Sequence, residues 1–176
     1  MNNFKLSRIL KGVLVVSGIC LLGQAVAEQG NWKSLPVLDF RGTISGDSLD
    51  FNNLVDADGN PEVETEAVQQ FRRTGRNPYN EDAEAIKAGG VIFATACSGC
   101  HGHHAEGKLG PALADDYWTY PKNATDKGLF ETIFGGAQGM MGPQRNHLTQ
   151  DEMLRVISWV RSVYHGDPEK ADWKKQ

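Results

Sequence analysis

Cys97-Ser98-Gly99-Cys100-His101 ends the segment whose reading decides the fold. Upstream of it, Asn80 is placed to cap a helix whose first turn holds Glu81 and Asp82, which suit the positive end of the helix dipole. Ile86, Phe93 and Cys97 then recur at helical spacing, with Gly89 and Gly90 as small gaps on the surface. The helix therefore precedes the thiols. Two thiols three positions apart can each add across one vinyl group of a single haem, and the histidine directly after them is then held beneath the iron as an axial ligand.

Other uses of this pentapeptide fit less well. A structural zinc site needs about four protein ligands, and no second cysteine pair exists. His103 and His104 lie too close to His101 in sequence to complete a good tetrahedron easily. A thioredoxin-type dithiol wants a strand before the cysteines and a helix after them. Ten residues past His101, Pro111 follows Gly110, and its carbonyl can reach the far ring nitrogen of His101 and fix the tautomer.

The remaining cysteine, Cys20, sits in the apolar run 12–22. That run follows a basic start (Lys5, Arg8, Lys11) and precedes Ala25-Val26-Ala27, the small-x-small pattern of a signal-peptide cleavage site. The run falls short of the roughly 20 residues that a membrane span requires, and bulky Ile19 before Cys20 argues against a lipoprotein. Residues 1–27 are read as a signal peptide cleaved after Ala27, with no stable membrane insertion and the periplasm as destination. Cleavage removes three positive charges and no negative ones, taking the formal net charge from −4 to −7. That balance excludes nucleic acid as a partner and favours a basic one. Roughly 150 residues make one domain with a modest core, and no cysteine is left over for a disulfide.

Residues 28–64 carry weaker signals. Val37-Leu38-Asp39-Phe40-Arg41 and Ser48-Leu49-Asp50-Phe51 alternate apolar and polar residues and predict a small β-hairpin across 42–47. Asp56-Ala57-Asp58-Gly59-Asn60 resembles the start of a calcium loop, but Pro61 stands where the glycine belongs and no glutamate closes it. A turn is expected there. Helices are predicted over 65–74, ended by Gly75, over 127–134, and behind the Thr149/Glu152 capping box, where Met153, Ile157, Val160 and Tyr164 form one stripe. Residues 102–123 read as loop.

A filled sixth coordination position suits an electron carrier, and a methionine thioether there favours the ferrous form. Met153 belongs to the apolar stripe and His147 and His165 are nitrogen alternatives. Met140 and Met141 sit in Gly135-Gly136-Ala137-Gln138-Gly139-Met140-Met141-Gly142-Pro143, flexible enough to lay a side chain over a haem. Adjacent side chains of an extended segment point to opposite faces, so one of the two is expected to ligate.

With these features in place the chain resembles the class I cytochromes c. Gly89 and Phe93 fall where that family crosses its first helix against its last, with Trp159 or Tyr164 as the aromatic partner. Four segments resemble the cytochrome c-L family more closely. They are Asn77-Pro78-Tyr79-Asn80, Cys97-Ser98-Gly99-Cys100-His101-Gly102-His103, Asp115-Asp116-Tyr117-Trp118-Thr119-Tyr120-Pro121-Lys122-Asn123 and Gly128-Leu129-Phe130-Glu131-Thr132-Ile133-Phe134-Gly135-Gly136-Ala137-Gln138-Gly139. The likeness runs over residues 76–173.

The resemblance implies a mainly α, class I cytochrome c fold around one covalent haem c in residues 76–176, preceded by an irregular extension at 28–75. It implies Cys97 and Cys100 as covalent haem attachments, and His101 and Met141 as axial ligands with Met140 as the fallback. It also implies an electron-transfer protein, not an enzyme, which accepts electrons from quinoprotein methanol dehydrogenase and passes them to a downstream c-type cytochrome. A haem enzyme, or a cytochrome subunit of a larger oxidoreductase complex, is the alternative. An uncharged contact at Gly99, Gly102 and Gly139 is expected, with Asp115 and Asp116 on its rim.

Overall fold

The computed structural model describes residues 31–175. The basic start, the apolar run, Cys20 and the expected cleavage site lie outside the described residues. Five α-helices carry the fold: α1 (Glu66–Thr74), α2 (Ala83–Ala96), α3 (Ser98–His101), α4 (Asp126–Gly135) and α5 (Gln150–Ser162). Thr65 caps α1, whose end at Gly75 takes a φ of 72° that a side chain would strain. The capping box at Thr149 and Glu152 closes reciprocally at the start of α5.

The principal packing is α2 across α5. Gly89 makes it possible: a Cβ there would stand 1.9 Å from the Arg155 carbonyl oxygen. One turn on, Phe93 meets Trp159 with ring centroids 4.2 Å apart. Tyr164 lies past the end of α5 and packs on Trp173 at 4.8 Å instead. The buried face of α2 is Ala85-Gly89-Phe93, and Ile86 is only partly covered.

Asn80 does not cap α2. Asp82 does, accepting from the Ala85 N–H at 2.8 Å. The Asn80 amide is drawn instead to Asp126, which also accepts from the Asn77 N–H and from Arg161 Nε at 3.1 Å each. This carboxylate is fully buried. It stands at the first residue of α4, where the helix dipole favours a negative charge.

The expected hairpin shrinks to one antiparallel bridge, Arg41 to Ser48, with Leu49 N–H on the Phe40 carbonyl. Two of its donors are committed elsewhere. Leu38 N–H bonds the Arg72 carbonyl at the end of α1, and Arg41 N–H bonds Glu131 on α4, both at 2.8 Å. Residues 56–60 form a turn whose own N–H groups occupy the Asp56 carboxylate. Among the described residues no group of three or more His, Cys, Asp or Glu could hold a metal ion.

An aromatic cluster joins the extension to the helices. Phe40 lies 5.5 Å from Phe71 and 5.8 Å from Phe130, and Phe51 lies 4.8 Å from Phe134. Glu131 is buried beside it and accepts from Arg41 N–H, Lys122 and Lys127. Burial alone would raise its pKa, but these donors outweigh burial and hold the carboxyl below its ordinary value. Its contribution to stability is therefore present at neutral pH and lost as pH falls through that lowered pKa.

The crossing at Gly89 gives a direct test. Gly89→Ala must push a backbone carbonyl, so it is expected to cost about 3 kcal/mol and lower the thermal midpoint by roughly 5–10 °C. Gly99→Ala meets nothing within 4 Å and serves as the control, with an expected midpoint near that of the wild type. Equal midpoints for the two variants would rule out the close crossing.

Candidate haem site

Cys97 terminates α2, its N–H bonded to the Phe93 carbonyl at 2.9 Å. The chain then makes one further helical turn, with Cys100 and His101 N–H groups on the Cys97 carbonyl at 3.1 and 3.0 Å. Cys97, Cys100 and His101 consequently share one face of that turn. Gly102 ends it with a φ of 80°, and a Cβ there would stand 2.4 Å from the Glu106 carboxylate. Only glycine fits.

The following loop folds back under the turn. Gly107 and Gly110 N–H groups bond the carbonyls of His101 and Cys100, each at 2.8 Å. Gly110 lies against the imidazole so closely that a Cβ would be 2.7 Å from His101 Cε1. Pro111 is then in place, its carbonyl 2.8 Å from His101 Nδ1, as the spacing predicts. A carbonyl only accepts, so Nδ1 carries the proton and the Nε2 lone pair is left for another partner. No hydrogen bond occupies Nε2 among the described residues.

The thiols differ. Cys97 is half-buried and Cys100 exposed, and no disulfide joins them. Burial, with a smaller effect of Cys100, pushes the Cys97 thiol up to about 11. Such a group stays a thiol at neutral pH, which disfavours a zinc thiolate. Two thiols and an imidazole whose Nε2 has no hydrogen-bond partner among the described residues are the groups that a covalently attached haem needs. The residues fit the group.

The methionine candidates separate. Met153 is fully buried in the core beside Leu154 and Ile157. His147 and His165 are exposed. After α4, Gly136 turns with a φ of 84°, and Ala137 N–H bonds the Met141 carbonyl at 2.9 Å. Within that loop Met140 is 91% exposed, whereas Met141 is half-buried and packs against the core. Sequence reasoning left out two side chains here. Glu106 is cradled over Gly102, and the Tyr120 hydroxyl accepts from the Gln138 N–H at 3.0 Å. The second contact spans 18 residues and has no local signal. Of the expected contact glycines, Gly99 and Gly139 are exposed and Gly102 is buried. Asp116 is paired with Lys170 at 2.6 Å.

Comparison with known proteins places these features in a family. A family model described as cytochrome c oxidase, cbb3-type, subunit III, matches residues 84–160. Cytochrome c-L of Methylorubrum extorquens is 47% identical over 173 residues, which is 98% of this chain and 84% of that protein. The crystal structure of cytochrome cL from the marine methylotrophic bacterium Methylophaga aminisulfidivorans superposes with a TM-score of 0.73 at 65% identity, over 77% of this chain and 87% of that one. Cytochrome cL from Hyphomicrobium denitrificans gives 0.72 at 50% identity, over 78% and 80%. The chain belongs to the cytochrome c-L family of class I c-type cytochromes, electron-transfer proteins that carry one covalently bound haem c.

Proposed function

We propose that this chain is exported to the periplasm, where it takes single electrons from the reduced quinone of methanol dehydrogenase and hands them to a further c-type cytochrome. Likeness to cytochrome c-L along nearly the whole chain is the observation that carries this reading. The methylotrophic source of one relative agrees with it. In this reading residues 76–176 form the haem domain and 28–75 an extension braced on it. Cys97 and Cys100 would hold the haem through thioether bonds, and His101 and Met141 would ligate its iron.

When bound, the haem supplies an iron that alternates between ferric and ferrous states. The protein's part is to keep its own groups still. The Pro111 carbonyl retains the Nδ1 proton of His101 and orients its ring. Gly110 closes the loop against that ring, and the turn at Gly136 presents the methionine segment. Met141 rather than Met140 packs against the core, which supports it as the side chain that would ligate the iron. The contact for the donor would be Gly99, Gly139, Met140 and Leu109, which are exposed and uncharged. Acidic residues lie on other segments: Asp50, Asp56, Asp58, Glu62, Glu64 and Glu66 occur without a basic residue among them. Asp116 is neutralised by Lys170, so Asp115 alone of that pair would contribute unpaired charge.

Three measurements test these assignments. Intact mass under denaturing conditions is expected to equal residues 28–176 plus one haem; haem released by acid and organic solvent, or a retained leader, would count against it. Met141→Ala is expected to abolish the weak red-end band of the ferric protein and leave a high-spin or replaced ligand set, while Met140→Ala keeps the low-spin spectrum. The reverse pattern would move the axial assignment to Met140.

The rate of haem reduction by methanol dehydrogenase is expected to fall by at least about tenfold from low to high ionic strength. A flat or rising profile would make the contact chiefly apolar. No reduction at any ionic strength would remove methanol dehydrogenase as the donor.

A further inference from the structure

Residues 136–142, the segment that carries Met140 and Met141, are fastened mostly to themselves. Ala137 N–H bonds the Met141 carbonyl at 2.9 Å and Gly142 N–H the Met140 carbonyl at 3.1 Å. Gln144 Nε2 adds a bond to the Gly142 carbonyl at 2.8 Å. Two positive-φ glycines, Gly136 and Gly139, keep the backbone soft. Among the described residues a single hydrogen bond ties this segment to a distant part of the chain: Gln138 N–H donates to the Tyr120 hydroxyl at 3.0 Å.

The other end of that bond is rigid. Tyr120 precedes the short turn Pro121–Ala124, and its carbonyl accepts from the Asn123 N–H at 2.9 Å. Asn123 is buried. Its side-chain oxygen accepts from the Thr132 hydroxyl on α4 at 2.7 Å, and its carbonyl accepts from Arg161 Nη2 on α5 at 2.9 Å. Arg161 is in turn paired with the fully buried Asp126. The phenol therefore reaches from a buried polar network to a segment that is fastened mostly to itself.

We infer that Tyr120 is a positioning residue, whose hydroxyl holds the Gln138 backbone so that Met141 stays over the haem. The inference rests on the reading of Met141 as an axial ligand. Loss of one such bond frees the segment to open locally without unfolding the rest. A neutral bond at the edge of the protein has a modest net value, so opening should become about three- to tenfold more frequent.

The test is the rate at which cyanide displaces the methionine from the ferric protein at fixed pH, followed by loss of the red-end band. Tyr120→Phe is expected to accelerate displacement about three- to tenfold, with a thermal midpoint close to the wild type. Exposed Tyr117, which makes no hydrogen bond to this segment among the described residues, provides the control as Tyr117→Phe, and its rate should be unchanged. An unchanged rate in Tyr120→Phe, or an equal acceleration in Tyr117→Phe, would overturn the inference. Hydrogen exchange in the wild-type holoprotein gives a second measurement that needs no variant. The exposed Gln138 amide should be protected, and exchange at the free-peptide rate would equally overturn the inference. Retention of the red-end band in Met141→Ala would instead refute the ligand reading, and leaves Gln138 protection to be judged on its own.

Discussion

The Asp126 carboxylate has no access to solvent, yet it holds three segments together. It accepts from Asn77 and Asn80 ahead of α2, and from Arg161 at the end of α5, while standing on the first turn of α4. Burying a charge is costly, and the attraction of an ion pair offsets that cost only when the remaining lone pairs are also satisfied. Here two amide donors and the helix dipole complete the set. An apolar core at this spot would bury as much surface, but it would not fix how far each helix can slide. Removing one partner of such a pair typically costs about 3–5 kcal/mol, because the other charge is stranded.

What Asp126 fixes is passed on to the two segments that bear the functional residues. Its position sets the start of α4, and α4 runs ten residues to Gly135, where the methionine segment begins. Its partner Arg161 lies on α5, and the crossing of α5 over α2 at Gly89 sets where α2 delivers Cys97. An electron carrier works best when little moves on reduction. The arrangement serves that need by placing soft, glycine-rich loops on stiff supports: the loop beneath His101 is tied back to Cys100 and His101 by backbone bonds, and the methionine loop to Tyr120.

The sequence was legible wherever the physics is local. The capping box at Thr149, the glycine stop at Gly75 and the Pro111 contact with His101 each depend on partners within about ten residues, and the structure contains all three. The class I helix crossing was legible through family likeness at Gly89 and Phe93, and the choice between Trp159 and Tyr164 needed coordinates. Asn80 misled for an instructive reason. It is a good cap by residue type, but a buried carboxylate 46 positions away competes for its amide, and Asp82 takes over the cap. The hairpin was curtailed in the same way, because α1 and Glu131 claim the donors that a ladder would need. Asp126 and Tyr120 gave no sign in the sequence, since each acts on groups far along the chain, and of the donors to Glu131 only the Arg41 N–H is distant.

The extension illustrates how one segment can meet two physical demands. Part of its apolar surface faces inward: Phe40 and Phe51 pack on Phe130 and Phe134, and Leu49 approaches Gly135, where a Cβ would be 3.3 Å from it, whereas Val37, Ile44 and Val63 stay exposed. The Thr43 and Thr132 hydroxyls meet at 2.8 Å on the same face of α4. Its polar positions are strongly acidic, and several are partly neutralised by neighbours, as Glu64 is by Arg72 and Glu66 by Lys33. Exposed pairs of this kind contribute little to stability. The carboxylates outside such pairs, among them Asp50, Asp56 and Asp58, instead add to the long-range field, while the stretch from Gly135 to Gly142 is uncharged. Packing by the apolar residues of the extension and the steering proposed for its acidic ones thus fall on different residues of one segment.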